Sequence, residues 1–127
     1  MPMKSKKNVQ KALERIKSLD TNVKVQFVIL YGSMVKNKTT DISDIDIAIG
    51  YAGSPEERFR FRMNVLGELP KQFDVHIFQD LPLYIKKDVL DGKVLYSRDT
   101  SELYEIALHT IQDFAFFEPR FLDYIHR

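Results

Sequence analysis

Residues 44–50, Asp-Ile-Asp-Ile-Ala-Ile-Gly, alternate strictly, and that alternation narrows the folds open to this chain more than any other segment. Successive side chains of an extended strand point to opposite faces. Ile45, Ile47 and Ile49 therefore share one face, and Asp44, Asp46 and Ala48 share the other. The isoleucine face needs an apolar cover. The acidic face sets two carboxylates about 7 Å apart in a conformation that Asp disfavours, so they repel unless something positive lies between them. A divalent cation meets that need economically. Mg²⁺ prefers hard oxygen ligands, is held by one or two protein carboxylates, and completes its shell with water and substrate phosphates.

The remaining segments place this strand in an order. Val9, Ala12, Leu13, Ile16 and Leu19 recur at spacings of three and four, which predicts a helix over 5–19 with one buried stripe. Residues 23–31 are rich in β-branched and aromatic types, as a central strand is, and run straight into Gly32-Ser33. Ser54-Pro55-Glu56-Glu57 reads as a helix start with a capping box. That helix runs to about Leu69, with Phe59, Met63 and Leu66 as its buried stripe and Pro70 as its stop. Glu56, Glu57, Arg58, Arg60 and Arg62 read as its solvated face. A third strand, 73–78, carries another carboxylate, Asp74. A short helix over 83–90 ended by Gly92, a short strand over 93–96, and a last helix capped by Asp99 or Thr100 complete the chain. The last helix passes into an aromatic stretch from Phe114 to Tyr124, read either as packing back onto the sheet or as a partner-binding surface.

Composition bounds what such a chain does. With 127 residues, 44% hydrophobic and 29% charged, one globular domain over 1–127 is expected, with a catalytic core at about 9–96 and a C-terminal helix and tail at 99–127. A separate substrate domain of ordinary size does not fit. The net charge of +1 provides no global field for nucleic acid, and the Lys and Arg excess within residues 1–20 reads as a solvated helix face. The absence of cysteine removes disulfides, thiolate metal sites and cysteine nucleophiles. No apolar run approaches the roughly 18 residues of a membrane span, so cytoplasmic residence is expected.

Candidate chemistry gathers around the acidic strand. If the strands of Asp46 and Asp74 are neighbours, Asp44, Asp46 and Asp74 converge on one metal site. Gly32-Ser33, at the end of a strand, lets backbone N–H groups and a small hydroxyl approach phosphate oxygens closely. Acids and loop together suggest phosphoryl or nucleotidyl transfer. His76, two residues after Asp74, reads as a histidine of the core or one supporting the acids, or else as a contact to a phosphate or the acceptor hydroxyl.

Gly32-Ser33 followed by Ser43-Asp44-Ile45-Asp46-Ile47 resembles the signature of the polymerase-β-like nucleotidyltransferase superfamily, with the spacing of its minimal members (MNT). Those occur in bacteria and archaea as antitoxins beside a HEPN-domain toxin. The resemblance covers about residues 9–96, and Leu83 to Tyr96 with the aromatic tail is similar to archaeal members. It implies an α/β (α+β) fold, a small mixed sheet with helices packed on one side. It further implies that Asp44 and Asp46 bind metal, two Mg²⁺ ions being expected, with Asp74 as the third acid near the attacking hydroxyl. Gly32, Ser33 and Lys36 would hold the triphosphate of ATP, and AMP would pass to a tyrosine of the HEPN toxin, which is thereby blocked. Many relatives have Arg-Ala-Arg-Gly where this chain has Met34-Val35-Lys36-Asn37, so Lys36 keeps a cation without a bidentate fork. Two other readings stand beside this one: an antitoxin that works by occlusion without catalysis, and nucleotidyl transfer to a small molecule or an RNA end.

Overall fold

The computed structural model describes residues 3–32 and 44–125, with side chains over 6–32 and 44–117. Helix α1 (Met3–Leu19) leads to strand β1 (Val25–Tyr31) and strand β2 (Ile45–Tyr51). Helix α2 (Pro55–Glu68), strand β3 (Phe73–Ile77), a 3₁₀ turn (Phe78–Asp80), helix α3 (Leu83–Leu90), strand β4 (Lys93–Ser97) and helix α4 (Thr100–Ile125) follow. The helices and strands are those expected from the sequence, with most boundaries moved by a residue or two; the 3₁₀ turn was not expected, and α4 continues through the stretch read as an aromatic tail. The sheet order is β3-β2-β1-β4. Strand β1 pairs antiparallel with both β2 and β4, whereas β2 and β3, joined through α2, pair in parallel. The sheet is therefore mixed, as expected.

Local chemistry sets the element ends. Asp20, just past α1, accepts hydrogen bonds from the backbone N–H groups of Lys24 and Val25, both at 2.8 Å, which turns the chain into β1. Helix α2 starts on a complete capping box: Glu57 N–H donates to Ser54 Oγ at 3.2 Å, and Ser54 N–H donates to Glu57 Oε1 at 2.9 Å. Glu57 also pairs with Lys24, so the cap is tied to the sheet.

The strand alternation decides the layers. Ile45, Ile47 and Ile49 of β2, with Val28 and Leu30 of β1 and Val75 of β3, are buried beneath α1 and α2, which contribute Ile16, Phe61 and Val65. Tyr51 stacks on Phe61 there, ring centroids 4.5 Å apart. Phe27, Ile29 and Ala48 point the other way, into a second cluster with Phe78 and Val89, covered by Ile85, Leu103 and Ile106. Gly50 leaves room for the Phe27 ring, which a Cβ at that position would strike.

Two expectations need correction. Helices cover both faces of the sheet, α1 and α2 one and α3 and α4 part of the other. Phe27 and Ile29 are bulky on the face that the acids share, and such rings and branches need an apolar cover. The stripe expected to be buried on α2 is also displaced. Phe59 is 60% and Met63 41% exposed, while Phe61 and Val65 are buried and Leu66 packs at the core's margin. Helical spacing fits both sets, and the position of β3 beside α2 selects between them. No helix among the described residues is long and apolar enough to cross a membrane.

Candidate active site

Strand register assembles the site. Antiparallel pairing sets Tyr31 of β1 opposite Asp46 of β2, and parallel pairing sets Asp46 opposite Asp74 of β3. Tyr31, Asp46 and Asp74 thus form a row across three neighbouring strands, on the face that carries Ala48 and His76 in the next row. The expected convergence of Asp46 and Asp74 follows directly from β2 and β3 being adjacent. Asp44 lies exposed just before β2, near enough for its charge to act on Asp46. His76 does not sit in the core as an isolated ring; its Nε2 lies 3.1 Å from Asp74 Oδ2.

Among the described residues, negative charge dominates around Asp46. The Asp46 carboxyl is raised above its ordinary value, first by burial and then by the negative charge of Asp74, with His76 opposing and Asp44 adding. Tyr31 is pushed up to about 12 by burial, by Asp46 and by Asp74, so its hydroxyl stays neutral and able to donate a hydrogen bond at physiological pH. Sequence reasoning missed Tyr31 as a site residue. The available signal was its place directly before Gly32, on the face that the antiparallel pairing gives to Asp46.

Gly32 follows Tyr31 with φ +81°, a conformation that L side chains rarely adopt, and a Cβ at that position would run into the Asp46 carboxylate. The backbone at the end of β1 therefore passes directly against the acid. Ser33 and Lys36, expected to act with Gly32 on phosphates, lie outside the described residues.

The donor set fits a hard divalent cation. Two carboxylates brought together by register, partly desolvated and repelling each other, match the one or two acids that Mg²⁺ takes from a protein. Among the described residues no three His, Cys, Asp or Glu side chains form a cage for an ion by themselves. Asp46 and Asp74 could hold such an ion, with the exposed Asp44 near enough for its charge to act on Asp46, and the remaining ligands would come from water and phosphate oxygens.

Residues 14–101 match the family described as "Polymerase beta, Nucleotidyltransferase", and the chain belongs to that family. A relative from Methanocaldococcus jannaschii, named as a candidate protein adenylyltransferase, is 38% identical over 82 residues, 65% of this chain. The aligned part spans 63% of that relative's length. The fold is shared with a crystal structure of a toxin-antitoxin with AMP-PNP, with a TM-score of 0.71 and 21% identity over 94% of each chain. It is shared too with a structure of tri-AMPylated Shewanella oneidensis HEPN toxin in complex with MNT antitoxin, with a TM-score of 0.67 and 20% identity, covering 92% of this chain and 95% of that one. At such identities these structures speak for the fold alone.

Proposed function

We propose that this chain is a Mg²⁺-dependent nucleotidyltransferase that moves AMP from ATP to a tyrosine hydroxyl of a HEPN-domain toxin and so neutralises it. The observation that carries the reading is the row Tyr31, Asp46, Asp74 with the Gly32 backbone pressed against its centre. Gly32 and Ser33 receive the triphosphate, and Asp44, Asp46 and Asp74 hold the cation. A metal held there would supply counter-charge for the phosphates and would lower the pKa of the attacking hydroxyl. Asp74, on the strand farthest from Gly32, faces the acceptor side and takes the hydroxyl proton. A bond forms between the acceptor oxygen and the α-phosphorus, the bond to the bridging oxygen of the β-phosphate breaks, and pyrophosphate leaves.

The partner reading has its own support. A relative is named for protein adenylylation, and solved structures of this fold include a HEPN toxin carrying AMP. On α4, Tyr104, Leu108 and Ile111 lie on one face and are 70%, 57% and 52% exposed, an apolar stripe of the kind that a partner covers. Incubation of the chain with Mg²⁺, a HEPN-domain protein and ATP labelled in its α-phosphate should place label on a tyrosine and release pyrophosphate. Asp44→Asn and Asp46→Asn should each abolish transfer, and transfer that survives both changes would overturn the mechanism. Neutralisation of the toxin that persists in both variants without ATP would favour occlusion.

A further inference from the structure

Beside the acids, at the outer edge of β3, lies a cleft of about 430 Å³ that the chemistry above does not use. Pro55, Phe59 and Arg62, spaced to share one face of α2, form one wall; Asp80 and Leu81, at the 3₁₀ turn, form the other; His76 closes it toward the acids. His76 is common to the cleft and the site, since its Nε2 is the group 3.1 Å from Asp74 Oδ2. The cleft accounts for the exposure of Phe59, a large ring on α2 that the core does not take. Its walls are braced. Arg58 bridges them through Asp80 at 2.8 Å and Gly53 O at 3.0 Å, and Arg62 Nε donates to Val75 O at 2.7 Å, closing the open edge of the strand. Among the described residues no carboxylate pairs with Arg62, and Asp80, the carboxylate of the facing wall, is engaged by Arg58.

We infer that this cleft is the acceptor subsite, taking a phenolic side chain from a protein segment that carries a neighbouring carboxylate; the inference rests on the nucleotidyltransferase reading above. In phosphoryl and nucleotidyl transfer the attacking and leaving oxygens stand roughly in line across the phosphorus. The order across the sheet is Gly32 just past the end of β1, Asp46 on β2, Asp74 on β3, then the cleft. With the departing phosphates held at the Gly32 end, the acceptor enters from the β3 end, where the cleft opens. Pro55, Phe59 and Leu81 offer apolar surface to an aromatic ring, and the volume falls within the 300–1,000 Å³ common for small-ligand pockets. Arg62 would meet the neighbouring carboxylate. His76, at the inner end, would receive the hydroxyl beside Asp74.

Backbone amide shifts of the full chain test this, with the peptide acetyl-Glu-Tyr-Glu-amide and Mg²⁺ with AMP-PNP titrated separately. The peptide should move the amides of 59–62 and 76–81. Phe59→Ser and Arg62→Gln should each weaken it about tenfold, while Arg60→Gln, whose side chain pairs with Glu56 on the outer face of α2, should bind as the wild type does. Replacing the peptide's glutamates by lysine should cost affinity in the wild type and little in Arg62→Gln. Equal peptide affinity in all variants, or AMP-PNP moving the cleft amides in place of those around Gly32 and Asp46, would overturn the assignment. AMP-PNP that fails to bind while the peptide still perturbs the cleft would count against the nucleotide reading alone and would support the cleft as a peptide site.

Discussion

A methyl group at position 32 would meet two obstacles together, a backbone at φ +81° and the carboxylate of Asp46. Gly32→Ala should therefore cost about 1–3 kcal/mol in stability, read by denaturant unfolding, and it should weaken nucleotide binding by pushing the turn away from the acid. Asp46 makes the opposite trade. Burial and Asp74 disfavour its ionised form in the fold, so removing the charge should stabilise the metal-free protein while ending transfer. Asp46→Asn should raise the Tm of the metal-free chain, and Mg²⁺ with ATP should raise the Tm of the wild type but not of the variant. The sign fixes the pH dependence. The cost of ionised Asp46 is complete above its raised pKa and vanishes once pH falls below the ordinary value of 3.8, so the Tm gap should close in acid. A gap that widens in acid would contradict this account.

Helix α2 shows what one element owes to its start. Ser54 and Glu57 cap each other, and Glu57 also pairs with Lys24 at 2.5 Å, tying the first turn of α2 to β1. Ser54→Ala should cost about 1 kcal/mol. The Glu57 carboxyl is held down to about 2 by Lys24 and then by Ser54, well below its ordinary 4.5. Its contribution to stability is therefore present above pH 4.5 and lost as pH falls through about 2, and that acid-limb dependence should be missing in Glu57→Gln. The cap was legible because Ser-Pro-Glu-Glu states it locally. The buried side of the helix was not. Phe59, Met63 and Leu66 and the observed pair Phe61 and Val65 both suit a 3.6-residue period, and only the neighbours of α2 separate them.

At the scale of the whole molecule, the long helix α4 buries Thr110 and packs Leu103 and Ile106 against the second core, while Tyr104, Leu108 and Ile111 face outward. Leu108→Glu should leave the fold within about 0.5 kcal/mol of the wild type, because the residue is already 57% exposed. The same change should weaken capture of a HEPN-domain protein about tenfold or more in a binding titration, and unchanged capture would remove α4 from the interface. The alternation of 44–50 was enough to predict a strand with isoleucines inward and acids on the opposite face, since a period of two admits no other arrangement. Asp74 could be recognised as acidic strand, and its pairing with Asp46 was conditional on a neighbour relation that no local pattern encodes. Tyr31 entered the site, Phe59 left the core, and α3 and α4 took the face opposite α1 and α2 through register and strand order. Period and capping are short-range properties written into the chain. Which strands lie side by side depends on how all the apolar faces are covered at once, and only the assembled sheet decides that.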